Sequence, residues 1–69
     1  LNGTDYYNTL YQYLLNSGNV TLTAKKLFIH RNTMVHRINR ISEILGMDLN
    51  YGNNRFKLFL TYRIMELSL

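Results

Sequence analysis

The residues best placed to do chemistry in this chain are Asn32, Thr33, His36, Arg37 and Arg40. Their chemistry is hydrogen-bond reading and not bond-making. Asn can pair bidentately with adenine and Arg with guanine, while Thr and His reach a base edge or a phosphate. Five of the eight basic residues, Lys25, Lys26, Arg31, Arg37 and Arg40, fall between Asn19 and Leu45, where the only acid is Glu43. The positive charge is therefore local. Lys25, Lys26 and Arg31, with the hydroxyls of Thr21 and Thr23, are the candidates for phosphate contacts.

Other chemistries find little support. The chain has no cysteine, which removes disulfides, thiolate nucleophiles and cysteine–zinc sites and is compatible with a reducing cytoplasm. His30 and His36 fit neither an i, i+3 nor an i, i+4 pair, so no metal is implied. The acids Asp5, Glu43, Asp48 and Glu66 are scattered and form no paired-carboxylate or Ser-His-Asp arrangement. Neither an enzyme nor a cofactor is expected. The apolar runs are far shorter than the roughly 20 residues needed to cross a bilayer. A net charge of +4 suits a polyanionic partner, although charge alone does not separate nucleic acid from a membrane surface.

The elements that must position these side chains read as four helices. Gly3-Thr4-Asp5 offers a cap, and Tyr6, Leu10, Tyr13 and Leu14 share one face of a first helix that runs to about residue 17. Gly18-Asn19 tolerates the left-handed backbone that ends helices. Thr21 then offers a hydroxyl cap to a short helix over about 22–28, with Ala24 and Leu27 inward. The spacing of Met34, Ile38, Ile41 and Leu45 predicts a third helix over 31–45, stopped by Gly46. It turns Asn32, Thr33, His36 and Arg40 to the opposite half, with Arg37 at the edge.

Residues 47–53 read as a loop. A fourth helix from about Asn54 has Phe56, Leu60, Ile64 and Leu67 on its core face. Leu58, Tyr62 and Met65 then form a spare apolar stripe, expected to contact a second subunit or an upstream region.

A short helix, a tight connection and a longer helix make a helix-turn-helix if the two pack through Ala24, Leu27, Ile29, Met34 and Ile38. Ala24 is the pivotal small residue, since a large one would push the long helix off its angle. The outward halves of ordinary helices are also rich in Arg and Asn. What favours a groove reader is the coincidence of a short capped helix, a small residue at its centre and a charge-biased long helix behind a tight turn. The fold class is thus all-α, a small four-helix domain containing a helix-turn-helix over residues 1–69. The start at Leu1, directly before a helix-start pattern, suggests part of a longer protein.

The segments Gly18-Asn19-Val20, Thr23-Ala24, Leu27-Phe28-Ile29-His30-Arg31-Asn32-Thr33, Arg37-Ile38, Arg40-Ile41 and Leu45-Gly46 carry a resemblance. The chain resembles the C-terminal domains of the PucR and CdaR type of bacterial regulators of purine and sugar-diacid catabolism. Their helix-turn-helix is related to that of the Fis protein. The resemblance implies a cytoplasmic transcription regulator's output domain that binds operator DNA, most naturally as a homodimer, below an upstream sensory domain. His36 stands where the family often shows Tyr or Asn, and Met34 where Leu is usual. Phe28 takes the turn position where helix-turn-helix domains at large carry glycine, which implies a wider turn or a positive φ.

Two rival readings remain. One is a helical protein-interaction or dimerisation module without sequence-specific DNA binding. The other is single-strand or RNA binding, which would use Tyr6, Tyr7, Tyr11 and Tyr13 as stacking platforms instead of core filler.

Overall fold

A computed structural model describes residues 5–68. It contains α1 (Tyr6–Leu15), α2 (Val20–Lys26), α3 (Arg31–Leu45) and α4 (Gly52–Ser68), with no strand among the described residues. The all-α, four-helix expectation holds. Helix α1 is the hub and packs on each of the other three, α2 packs on α3, and the backbone of α4 approaches only α1.

Helix α1 begins where the Asp5 carboxylate accepts the Asn8 N–H at 2.9 Å; Gly3 and Thr4, also read as part of this start, lie outside the described residues. Thr9, Leu10, Tyr13 and Leu14 are buried, whereas Tyr6, expected on the same face, is exposed. The helix closes when the Gly18 N–H donates to the Tyr13 carbonyl at 2.9 Å, which needs left-handed backbone at Ser17 (φ 55) and Gly18 (φ 77). A side chain at Gly18 would also meet the Arg55 guanidinium, 2.8 Å from where its Cβ would sit.

The left-handed pair thus sits one residue earlier than the sequence suggested, and this frees Asn19. Its side chain, in extended backbone, accepts the Leu22 N–H at 2.9 Å and caps α2. Thr21 is therefore not the cap, and α2 starts before it.

Helix α2 ends as α1 does: the Ile29 N–H donates to the Ala24 carbonyl at 3.0 Å around a left-handed Phe28 (φ 58). Such backbone costs a residue with a Cβ about 1–2 kcal/mol. The Phe28 ring recovers nothing from packing, being 95% exposed. Helix α3 starts on His30, whose Nδ1 accepts the Asn32 N–H at 3.0 Å, and stops on a left-handed Gly46 (φ 64). Met34, Ile38 and Ile41 are buried as the stripe predicts. Leu45, the fourth member, is exposed, because the last turn of α3 runs past the core.

The largest departure is α4, whose core face is inverted. Tyr62 is buried, and Leu58 and Phe59 pack against the core. Phe56, Leu60, Ile64 and Leu67 face outward at 67, 49, 54 and 88% exposure. Tyr62 and Leu58 are accordingly not a free interface, and of the expected spare stripe only Met65 is exposed.

Two anchors set this rotation. The Tyr62 hydroxyl donates to the Tyr7 carbonyl at 2.7 Å, and its ring meets Tyr7 edge-on at 4.7 Å and Tyr11 at 5.1 Å. Near the start of α4, Arg55 Nη1 donates to the Leu49 carbonyl at 2.9 Å, as does the Tyr13 hydroxyl at 3.3 Å. Leu49, inside what reads as a polar loop, is itself buried. Helix α4 begins at Gly52, so Asn54 is not its cap; the Asn54 amide instead donates to the Asp48 carbonyl at 2.9 Å.

Burial, then the neighbouring Tyr7 and Asp5, push the Tyr62 phenol up to about 12, above its ordinary 10. The folded state thus favours the neutral phenol. Its contribution to stability is complete below pH 10 and is lost as pH rises through 12. In alkaline unfolding followed by circular dichroism, Tyr62→Phe is expected to remove part of the slope between pH 10 and 12. At pH 7 the same change should cost about 1 kcal/mol for the lost hydrogen bond. In thermal melts, Phe28→Val should be about 1 kcal/mol less stable than Phe28→Gly, though both remove the same exposed ring, because only glycine adopts positive φ freely.

Candidate nucleic-acid interface

The helix-turn-helix is built on the contact between α2 and α3. Ala24 and Met34 are both buried, and Leu27 and Ile29 pack against the same core. With Met34, Ile38 and Ile41 held inward, geometry sends the other half of α3 to solvent. Asn32, Thr33, His36 and Arg40 are all exposed there, and Arg37 lies half-buried at the margin. Asn39 is exposed on the same outward half. It falls within the same helical projection as Asn32 and His36.

A side-chain bond ties the N-termini of α2 and α3. Arg31 Nε donates to Thr21 Oγ1 at 3.1 Å, which joins the first turn of α2 to the first turn of α3. The start of α3 carries the positive end of a helix dipole, a favourable setting for an anion. Lys25 is exposed nearby. Lys26 is exposed but its Nζ donates to Asn16 Oδ1 at 2.9 Å, which ties it to the end of α1.

Thr23 does not belong with these residues. Its side chain is fully buried and its hydroxyl donates to the Asn19 carbonyl at 2.6 Å, so it cannot reach a phosphate. Polarity alone marked it as a surface residue; its bond back into the helix start, one turn earlier, satisfies the hydroxyl inside the core.

His30 has a role that the sequence did not specify. By accepting the Asn32 N–H through Nδ1, it keeps its ring proton on Nε2, which is left as a donor at the entrance of α3. Histidine is not a usual cap, so only the geometry shows this. Arg40 pairs with Glu43 at 3.3 Å, both side chains being more than half exposed. An exposed pair of this kind is worth at most about 1 kcal/mol, so Arg40 can leave Glu43 at small cost.

Among the described residues, one concavity, lined by Asn39, Ser42, Glu43, Gly46, Met47 and Asp48, is open and holds two carboxylates. Another, a cleft of about 330 Å³, is lined by Tyr6, Tyr7, Leu10, Ile41, Ile44, Leu45 and Tyr62 and is almost wholly apolar. Among the described residues no three His, Cys, Asp or Glu side chains cluster as metal ligands, and no helix is long and apolar enough to cross a membrane.

Comparison with known proteins agrees with this geometry. Residues 6–64 match the model of the PucR C-terminal helix-turn-helix domain. The chain is 48% identical over 44 residues to the carbohydrate diacid regulator of Escherichia coli, covering 64% of this chain and 11% of that protein. It is 38% identical over 63 residues to the proline-responsive transcriptional activator PutR of Bacillus subtilis, covering 91% of this chain and 15% of that protein. It is 35% identical over 60 residues to the purine catabolism regulatory protein of Bacillus subtilis, covering 87% and 11%. The chain thus spans between a tenth and a sixth of the length of these relatives. No solved structure matches it. With its match running from the start of α1 into the last turns of α4, the chain belongs to the PucR C-terminal helix-turn-helix family, a family of DNA-binding regulatory domains and not of enzymes.

Proposed function

We propose that this chain reads operator DNA through the major groove, with α3 as the recognition helix. The observation that carries the reading is the exposure of Asn32, Thr33, His36 and Arg40 along one half of a helix whose other half is locked against α2 and α1. These four, with Arg37 at the margin, are the base-contacting set. Thr21, Lys25, Lys26 and Arg31 hold phosphates, with Thr21 and Arg31 acting as a joined pair at the two helix starts.

The domain, spanning residues 1–69, is the output end of a longer cytoplasmic regulator whose upstream region senses a small metabolite. The relatives named for diacid, proline and purine responses support that arrangement. Two copies bind paired half-sites about one helical turn apart, roughly 34 Å. The exposed tyrosines Tyr6 and Tyr7 lie on α1, away from the outward half of α3, which favours duplex over single-strand binding.

Selection of bound sequences from a random duplex pool tests the reading directly: enrichment of a palindrome supports it, and no enrichment removes it. On the selected site, Asn32→Ala or Arg40→Ala is expected to cost on the order of 1–3 kcal/mol, with a smaller loss on random DNA. Equal losses on both would reassign these residues to the backbone. Lys25→Ala should weaken all sequences alike and flatten the salt dependence by about one unit, measured by titration at several salt concentrations.

A further inference from the structure

Four of the described residues take left-handed backbone: Ser17, Gly18, Phe28 and Gly46. Three of them are small. Phe28 alone carries a large side chain, and it sits in the turn between α2 and α3 with its ring 95% exposed. A lone exposed apolar residue is ordinary. Left-handed backbone with no packing to offset it is not, since such strain concentrates where a function keeps it. Glycine would relieve the backbone and remove the exposed ring at once, so neither feature serves the fold.

We infer that the Phe28 ring is a DNA-contacting group that packs on a deoxyribose between phosphates at the edge of the major groove. The inference deepens the DNA-reading proposal and rests on it. Two observations choose duplex DNA as what covers the ring. The first is charge. Phe28 follows Lys25 and Lys26 at the end of α2 and precedes Arg31 at the start of α3, all three exposed, and the only acid between Asn19 and Leu45 is Glu43, well along α3. An apolar ring set among cations suits a partner that alternates anionic and apolar groups, as phosphates and sugars do along a strand. The second is place. A recognition helix reads bases with its N-terminal residues, so the turn that delivers α3 arrives at the groove wall. Asn32 and Thr33 are exposed in the first turn of α3. Phe28 precedes that turn, which puts its ring beside the backbone and not over the base edges. The position is also held: the Phe28 N–H donates to the Lys25 carbonyl at 3.2 Å and the Ile29 N–H to the Ala24 carbonyl at 3.0 Å, so the backbone there needs little further ordering on binding. Contact with a sugar adds affinity without charge and without direct sequence information.

The test measures the affinity of the 69-residue chain for the selected duplex and for random duplex at several salt concentrations, with thermal melts alongside. Phe28→Gly and Phe28→Asn both accept positive φ and are expected to melt no lower than the wild type. Each should nonetheless bind both duplexes about tenfold more weakly, with an unchanged salt dependence because no cation is lost. Asparagine keeps a Cβ, which guards against a glycine turn that merely loosens. Phe28→Tyr should keep the wild-type affinity, and Phe56→Ala, which removes an exposed ring from α4, should leave it unchanged. With benzoylphenylalanine in place of Phe28, near-ultraviolet light should cross-link the chain to DNA, and in place of Phe56 it should not. Phe28→Gly and Phe28→Asn variants that bind as tightly as the wild type overturn the inference and leave the DNA-reading proposal standing. A loss confined to the selected duplex places the ring on a base and also overturns it. A wild type that binds neither duplex removes the DNA-reading proposal and this inference with it.

Discussion

The packing of α2 on α3, with Ala24 buried in the core they share, is the constraint on which the rest of the molecule depends. Ala24 and Met34 belong to one buried cluster, and both side chains are sealed from water. Interiors are packed as densely as organic crystals, so a larger residue at this point could be admitted only by moving one helix. Because α3 carries its polar residues on a fixed half, any rotation of α3 would also change which of them face a groove. The turn between the two helices serves the same end. It closes on the Ala24 carbonyl itself, so one residue supplies both the packing surface and the hydrogen-bond acceptor that set the crossing.

Local chemistry made α3 legible from the sequence to the residue. The apolar stripe of Met34, Ile38 and Ile41 fixes its inward side, with Leu45 alone turned out past the core, and Gly46 supplies the left-handed stop with nothing nearby to compete. The start of α2 was less legible because Asn19 and Thr21 are both competent caps. The choice fell to Asn19 once Ser17 and Gly18 had taken the left-handed positions. The rotation of α4 is not legible in the sequence, for a different reason. Both of its sides are apolar, so periodicity could not rank them. The ranking comes from contacts remote in sequence, such as that of Tyr62 with Tyr7 and of Arg55 with the Leu49 carbonyl beside Gly18. No local window contains both partners of the first.

The candidate site follows the same division. Residues chosen by their place on α3 are exposed where the projection puts them, because a helix turns one stripe inward and the other outward by necessity. Thr23 was chosen by residue type, and type does not tell a hydroxyl that meets solvent from one that bonds back to the preceding turn. His30 shows the converse. A residue type rarely used for capping closes the helix start and thereby orients its own ring at the mouth of α3.

The attachment of α4 to α1 alone has a consequence for how the molecule comes apart. Helices α1, α2 and α3 share the buried cluster of Leu10, Leu14, Ala24, Met34, Ile38 and Ile41, to which α4 adds Tyr62 as its one buried side chain. Lifting α4 away leaves the packing among α1, α2 and α3 in place, while lifting α1 leaves only α2 on α3. The domain is built as a cooperative trio with a detachable fourth member. Amide protons along residues 56–67 should be the first helical protons to exchange with solvent, while those of α3 wait for global unfolding.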